Sequence, residues 1–434
     1  MDDQPDCYMA GALATMLRLS RVAGVAPLKF VKKGSGYRVS VSPRWSYYGY
    51  LVVTVIIMAT IGSLIYDLQL EQVLSTRMST NTRRIVWIVD VACMLLIAGT
   101  SVYGAPEQMR AMIVYMNRIE KINFELNIRE WPVRCEKKTT RFLWFWVTTT
   151  IVLTTTDPHL VGFLFTFRLF SVWICVMYSF YYCCYWILQL RELNIALITL
   201  HVMYGFRSIN NKLKNLLQEL TDSNEMQLLA LLNISMNNTT KKRLTRKVIV
   251  KTVANSKKFC SEGIQKTNHQ EIVRRLSHAY ANTCDVVRDV NNSHGLIVLI
   301  MLGSFLLHLV CTPYYLIMTM STINSLDMNS IVQIIYVGVQ VIWCFYHSIN
   351  LLMIIEPCHL TQIEMETTCE LVSHLIRCTD SMNDPMATEL EIFYKHIFLH
   401  QASYSAMHVT TISRSLVATI LGSITTYLVI IIQL

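Results

Sequence analysis

The chain ends in TYLVIIIQL, residues Thr426–Leu434, and this stretch gives the first indication of the fold. Five branched aliphatic residues in a row suit a helix that crosses a lipid bilayer. A threonine and a tyrosine before them and a glutamine after them are not needed for crossing. A polar amide near the end of an apolar helix costs free energy unless it meets water or a partner. Either the last membrane helix simply ends in glutamine, or Gln433 has a role beyond spanning.

The composition indicates several membrane spans. Of the 434 residues, 53% are hydrophobic and 15% are charged, whereas soluble proteins carry about 25% charged residues. Several segments approach the ~20 apolar residues that a span requires. Candidate spans lie at about 47–66, 85–102, 142–156, 163–190, 296–320, 330–355 and 408–434. The sequence therefore predicts an all-α, polytopic membrane protein with seven transmembrane helices.

Positive charge decides the predicted orientation, because loops with an excess of lysine and arginine stay in the cytoplasm. The arm 1–44 and the loops after the second, fourth and sixth spans hold 33 of the 38 lysines and arginines. The loops on the opposite side hold 3. The N-terminus is therefore predicted to be cytoplasmic, and an odd number of spans places the C-terminus outside. The net charge of +9 is then expected to meet anionic lipid rather than nucleic acid.

The predicted organisation follows from these spans. Its segments are a cytoplasmic arm (1–44), spans one to four (45–190), a cytoplasmic helical extension (191–293) with a mobile stretch at about 221–267, spans five and six (294–355), cytoplasmic anchor helices (356–407) and the seventh helix (408–434). Asp157–His159 is predicted to turn the third span into the fourth. Helix is expected to resume near His269, and Pro357 is expected to kink or break the helix after the sixth span.

The ending resembles the C-terminal signature of insect gustatory receptors, in which Thr-Tyr, five apolar residues and Gln are usually followed by Phe. Here Leu434 takes the place of Phe. The sixth span is similar to the fructose-sensing branch of that family in two stretches, QVIWCFYH at 340–347 and LLMIIEPCHL at 351–360. Shorter matches lie at 90–91, 204–207 and 308–310.

The resemblance implies a ligand-gated, non-selective cation channel in the plasma membrane. It implies a homotetramer, or a heteromer with other gustatory receptors, in which the seventh helices line one central pore for monovalent and divalent cations. Each subunit would bind a small-molecule sugar, with fructose as the first candidate, in a pocket open to the outside. No cofactor, metal site, catalytic residue or nucleic-acid partner is expected.

Polar and aromatic residues in the outer halves of the spans form the predicted ligand site, because such groups in a membrane usually face a cavity or each other. A sugar needs an aromatic plate for its C–H face and several hydrogen-bonding groups for its hydroxyls. Gln340 and Trp343 share one face of the sixth span. The other candidate contacts are Trp87, Asp90, Arg168, Tyr315 and Thr319.

Several of these residues also have a structural explanation. Asp90 and Arg168 can pair with each other, and Trp87 can belong to the tryptophan belt at the membrane interface. His308 is more typical of a satisfied packing histidine than of a ligand contact, and His347 lies deep for a pocket.

The seventh helix carries the predicted gate. Four copies of Gln433 around a symmetry axis would form a polar ring at the outer mouth, and such a ring can wet a pore that an apolar constriction closes. Leu434 or Ile430 would form that constriction. Tyr427 belongs to the same helix end, where it is expected to pack against neighbouring helices rather than touch the ion.

Other classes of protein fit the sequence less well. A transporter is expected to show repeats or interrupted helices at matching places, and the sequence shows neither. Ser/His/Asp and HExxH arrangements are absent from the spans, and there is no Walker loop, so an enzyme is not expected. A gustatory channel for a tastant other than sugar and a metabotropic seven-helix receptor remain the alternatives.

We predict that an N-terminal epitope is hidden in intact cells and that a C-terminal epitope is reachable, because the basic loops stay in the cytoplasm. Antibody staining before and after permeabilisation measures both. An exposed N-terminus would contradict the charge argument and would favour a G-protein-coupled receptor, whose N-terminus lies outside.

Overall fold

The computed structural model describes residues 6–69, 81–126, 133–166, 172–238, 248–322, 330–379 and 385–433. The helices are α1 (Gly11–Val22), α2 (Pro43–Gln69), α3 (Asn81–Tyr103), α4 (Ala105–Glu125), α5 (Val133–Thr166), α6 (Val172–Asn238), α7 (Val248–Thr322), α8 (Ser330–Cys378), α9 (Pro385–Leu399) and α10 (Arg414–Gln433). The strands are β1 (Cys7–Met9), β2 (Leu28–Lys33), β3 (Gly36–Val41), β4 (Ser405–Ala406) and β5 (Thr410–Thr411). The protein is mostly helical, as predicted, but the two small sheets make the all-α class too strict.

Within the described residues, four helical stretches are long and apolar enough to cross a membrane. They are Pro43–Tyr66, Arg84–Tyr103, His269–Ile317 and Val337–Cys378, and a shorter apolar helix covers Arg414–Ile430. These stretches overlap the predicted first, second, fifth, sixth and seventh spans. The predicted third and fourth spans fall in α5 and α6. The chain is therefore a multi-pass membrane protein, while the count of seven spans and the orientation stay predictions.

Two predicted breaks in the helices are wrong. α5 continues through Asp157–His159 to Thr166, so the chain does not turn there. α6 extends to Asn238 and α7 begins at Val248, well before the expected start near His269. The predicted mobile stretch is therefore helical on both sides of residues 239–247, which lie outside the described residues.

α8 also passes through Pro357 without ending. Pro357 cannot donate a backbone hydrogen bond, which leaves one helical bond unmade. Its neighbours Ile354, Ile355 and Cys358 are all buried, and its carbonyl accepts a hydrogen bond from the Thr361 hydroxyl at 2.8 Å. Packing on both sides of the proline thus outweighs the local preference of the residue before it.

The predicted N-terminal arm is a packed unit rather than an extended segment. β3 lies between β1 and β2 in an antiparallel sheet. Along β3 the side chains alternate, with Val39 and Val41 buried, as expected for a sheet with one packed face. Leu13 and Leu17 of α1 are fully buried, and the Ser20 hydroxyl accepts a hydrogen bond of 3.0 Å from Asn194 of α6.

α6 is the central helix of the molecule. It packs against α2, α3, α5, α7 and α8. Between Tyr181 and Thr199 nearly every residue is buried, which is the pattern of a helix that is surrounded on all sides. This position allows polar side chains of α6 to meet those of several other helices.

The N-terminal unit meets α2 through two glycines. Gly24, just after α1, has a φ of +78°, a left-handed conformation that favours glycine. A Cβ on Gly49 of α2 would lie 2.8 Å from the Gly24 carbonyl oxygen. The two backbones are therefore in direct contact, and neither position has room for a side chain.

We predict that Gly49→Ala lowers the melting temperature of the detergent-solubilised protein. The added methyl group would overpack this contact at a cost of about 1–3 kcal/mol, which exceeds the ~1 kcal/mol that alanine contributes to helix propensity. Gly62→Ala in the same helix is the control, because a Cβ there meets nothing within 4 Å. Size-exclusion chromatography after heating measures both melting temperatures. Equal melting temperatures of the two variants would contradict the close backbone contact between Gly24 and Gly49.

Candidate functional site

A buried polar cluster joins α3, α6 and α7 at Asp90. The Asp90 carboxylate accepts a hydrogen bond from the Tyr181 hydroxyl at 2.5 Å and lies 3.0 Å from Nε2 of His308. The Asp90 side chain is 13% exposed and the His308 side chain is 5% exposed, so water barely screens the pair. A buried carboxylate is stable only if hydrogen bonds satisfy its lone pairs. Tyr181 supplies one of these bonds.

His308 has a partner at each ring nitrogen. Its Nδ1 donates to the Ser304 carbonyl at 2.6 Å, and the Tyr185 hydroxyl lies 2.6 Å from its Nε2. The hydroxyls of Tyr181 and Tyr185, one turn apart on α6, lie 3.2 Å from each other. These contacts confirm the interpretation of His308 as a satisfied buried histidine.

Aromatic rings cover this cluster. The ring centroid of Trp87 lies 4.8 Å from that of Tyr181, and the centroid of Trp343 lies 5.5 Å from that of Tyr185. His347 stacks between Trp343 at 5.5 Å and His308 at 4.5 Å. Trp87 and Trp343 are both buried. The cluster therefore has two indole rings at its boundary and a carboxylate inside it.

The indole Nε1–H of Trp343 is buried and has no hydrogen-bond partner among the described residues. A buried donor without an acceptor costs about 1–3 kcal/mol. A ligand oxygen placed there would remove that cost. This unmade hydrogen bond is the feature of the cluster that points most directly to a bound molecule.

A second polar layer lies next to Trp343 along α8. The Tyr346 hydroxyl donates to Oε1 of Gln189 at 2.6 Å, and Trp146 of α5 donates to Oδ1 of Asn350 at 3.0 Å. Glu192, just beyond the predicted fourth span, is fully buried and has no hydrogen-bond partner within the part of the chain that the structure describes. Burial raises the pKa of this carboxyl well above its usual range.

The structure brings only part of the predicted ligand site together. Trp87, Asp90 and Trp343 belong to the cluster, and Gln340 lies half-buried one turn before Trp343 on α8. Tyr315 lies on α7 beside Tyr314, with 5.6 Å between the ring centroids. Arg168 and the side chain of Thr319 lie outside the described residues. Asp90 pairs with His308 and Tyr181, while the alternative pairing with Arg168 stays a prediction.

The predicted gate residues lie on a helix that is largely uncovered in the single chain. Tyr427, Ile430 and Gln433 of α10 are exposed, and Leu434 lies outside the described residues. Tyr427 therefore has little packing within its own subunit. An exposed apolar helix of this kind must face lipid, another subunit or a pore.

The sequence reasoning missed the tyrosines and the acid of α6. Tyr181, Tyr185, Gln189 and Glu192 follow spacings of four, four and three residues, which place them on one stripe of a helix. That spacing is the signal in the sequence that could have identified these four residues. It was obscured because α6 is apolar on all its faces, so the stripe does not stand out as a polar side.

Comparisons with known proteins agree with this architecture. The family model of the 7tm chemosensory receptors matches residues 13–434. The gustatory receptor for sugar taste 43a of Drosophila melanogaster is 25% identical over 437 residues, covering 96% of each chain. The olfactory receptor OR5 of Machilis hrabei has a similar fold, with a TM-score of 0.56 at 10% identity over 96% of this chain and 97% of that one. Its complex with eugenol gives a TM-score of 0.52 at 9% identity over 97% of both chains. These proteins are receptors, which confirms the prediction that the chain is not an enzyme.

We predict that Tyr181→Phe lowers the melting temperature of the purified protein. The change removes the hydroxyl that donates to Asp90, and a lost hydrogen bond to a charged group costs about 1.5–3 kcal/mol. Tyr47→Phe is the control, because the Tyr47 side chain is exposed on α2. If the two variants melted at the same temperature, the tyrosine hydroxyl would not be holding Asp90 in place.

Proposed function

The chain belongs to the 7tm chemosensory receptor family, and on this premise we propose that it is a gustatory receptor that acts as a ligand-gated, non-selective cation channel. Its ligand is an extracellular sugar, with fructose as the first candidate. The likeness to a receptor named for sugar taste supports the ligand class. The geometric observation that carries the proposal is the buried, unpartnered Nε1–H of Trp343 beside the Asp90 cluster.

The chemistry around Trp343 suits a neutral polyol. An indole offers a flat face for the C–H side of a sugar ring and one N–H donor for a hydroxyl. Gln340, one turn away, adds an amide that both donates and accepts. Asp90 is already engaged by His308 and Tyr181, so it offers little to a cationic tastant. A sugar satisfies more of these groups than an apolar odorant would.

The fold also supports the idea of an enclosed small-molecule site. The OR5 structure with eugenol shows that a protein of this shape holds a small molecule. Eugenol is far less polar than a sugar, so the ligand class here depends on the side chains and not on the fold. Trp343, Gln340 and the tyrosines of α6 are the side chains that would set it.

The channel is formed by four copies of the chain in the plasma membrane, or by a heteromer with other gustatory receptors. α10 lines the pore, because its apolar surface is uncovered in the single chain and needs a neighbour, lipid or pore water. Gln433 forms the polar ring at the outer mouth, and Ile430 or Leu434 forms the apolar constriction. Monovalent and divalent cations pass through this pore.

Whole-cell current in a cell line without other chemoreceptor subunits tests the proposal. A fructose-evoked current that appears at once and does not depend on G proteins supports a channel. A response that needs a cytoplasmic transducer would instead indicate a metabotropic receptor. A current evoked by another class of tastant but not by sugars would support the channel and contradict the sugar as its ligand.

We predict that Gln340→Ala and Trp343→Ala each raise the half-maximal fructose concentration while surface expression persists. The loss of a hydrogen bond or a stacking face costs roughly 1–3 kcal/mol, which corresponds to a shift of ~5- to 150-fold. Phe345→Ala is the matched control, because this aromatic residue of α8 is 65% exposed. Unchanged dose–response curves for both pocket variants would place the ligand elsewhere.

A further inference from the structure

Arg414, the first residue of α10, forms an ion pair with Glu356 of α8 through two hydrogen bonds. Arg414 donates from Nη2 to Oε1 of Glu356 at 2.5 Å and from Nε to Oε2 at 3.1 Å. This fork-to-carboxylate geometry fixes the direction as well as the distance between the two side chains. It joins two helices that otherwise contact each other little, since α10 packs mainly on α7.

The segment before α10 is held on α7. Asn291 donates to the Ser403 carbonyl at 2.7 Å, and its Oδ1 accepts from the Ser405 backbone N–H at 3.2 Å. The turn between β4 and β5 lies close to Gly295, where an added Cβ would come within 3.0 Å of the Met407 nitrogen. Met407 and His408 have φ values of 50° and 60°, a conformation that non-glycine residues adopt only when their surroundings hold them there. The start of α10 is thus fixed from two sides.

α7 and α8 also contribute residues to the candidate ligand site. His308 of α7 stacks on His347 of α8, and Trp343 lies one turn before His347. Along α8, Trp343 and Glu356 are separated by about 20 Å at a rise of about 1.5 Å per residue. Pro357 follows Glu356 and leaves one helical hydrogen bond of α8 unmade next to the attachment of α10.

We infer that the Glu356–Arg414 pair is the joint that transmits movement of α8 at the ligand site to the pore helix α10. The inference rests on the proposed function, because it assumes that α10 lines a pore. Glu356 and Arg414 are positioning residues: they touch neither the ligand cluster nor the predicted gate. A change at the joint therefore alters how strongly binding opens the channel, and leaves the ligand contacts as they are.

Stability alone does not explain a pair at this place. The Arg414 side chain is 60% exposed and the Glu356 side chain is 37% exposed, and ion pairs exposed to this extent stabilise a fold very little. The pair has a larger effect on geometry, since it sets where α10 begins relative to α8. Exchanging the two charges should preserve that geometry, whereas reversing one charge should push the helices apart.

The test is a charge exchange in the full-length channel. We expect Glu356→Arg and Arg414→Glu each to lower the maximal fructose-evoked current per surface protein about 5-fold or more, and the double variant to restore most of it. The half-maximal concentration should change far less than in Trp343→Ala. Arg414→Lys, which keeps the charge but loses the fork, should give an intermediate current and provides a milder variant if a reversal fails to reach the surface.

Arg275→Glu is the matched control. The Arg275 side chain is 61% exposed, like that of Arg414, and it pairs with Glu271 within its own helix. Its reversal should leave the maximal current unchanged. Two results would overturn the joint alone, provided that the wild type responds to a tastant. In the first, the single reversals keep the full current. In the second, the double variant shows no recovery while Arg414→Lys behaves as wild type. A wild type that gives no current to any tastant would contradict the proposed function, and the joint with it.

Discussion

A carboxylate inside a bundle of membrane helices needs partners, and Asp90 obtains them from two other helices. The contacts to His308 and Tyr181 connect α3 to α7 and α6. Because removing one member of a buried pair leaves an uncompensated charge at a cost of about 3–5 kcal/mol, these helices are held in one arrangement. The indoles of Trp87 and Trp343 are in turn positioned by rings that belong to this cluster. The shape of the candidate ligand site thus depends on the contacts of Asp90 with His308 and Tyr181.

Two neighbouring ionisable residues of α6, Arg191 and Glu192, have different surroundings. Arg191 is fully buried and contacts Gln108 of α4 and His294 of α7, and burial lowers its pKa to about 10. Arg191 therefore stays charged at neutral pH. The adjacent Glu192 is also fully buried, and burial raises its pKa. Adjacent positions on a helix point about 100° apart, so the two side chains have different neighbours.

The sequence predicted the four described stretches that are long and apolar enough to cross a membrane, because hydropathy and length carry that information locally. It also selected Trp87, Asp90 and Trp343, since polar and large aromatic side chains are conspicuous in apolar segments. It did not identify His308 as the partner of Asp90, because the two residues belong to distant segments and only the packing of α3 against α7 brings them together. The predicted turn at Asp157–His159 was wrong because α5 continues through these residues. α8 likewise does not end at Pro357, where buried neighbours outweigh the local preference. The N-terminal sheet was missed because its strands are short and lie between polar residues.

The direct backbone contact between Gly24 and Gly49 bears on the order in which the molecule assembles. The sheet of the N-terminal unit pairs only residues within 7–41, so its strands are complete before α2 leaves the ribosome. Domains tend to fold from the N-terminus as they are synthesised, and a sheet built from local pairs closes quickly. α2 would then emerge beside a surface that is already shaped to receive Gly49. α2, which is long and apolar enough to cross a membrane, is thereby given a fixed neighbour early in synthesis.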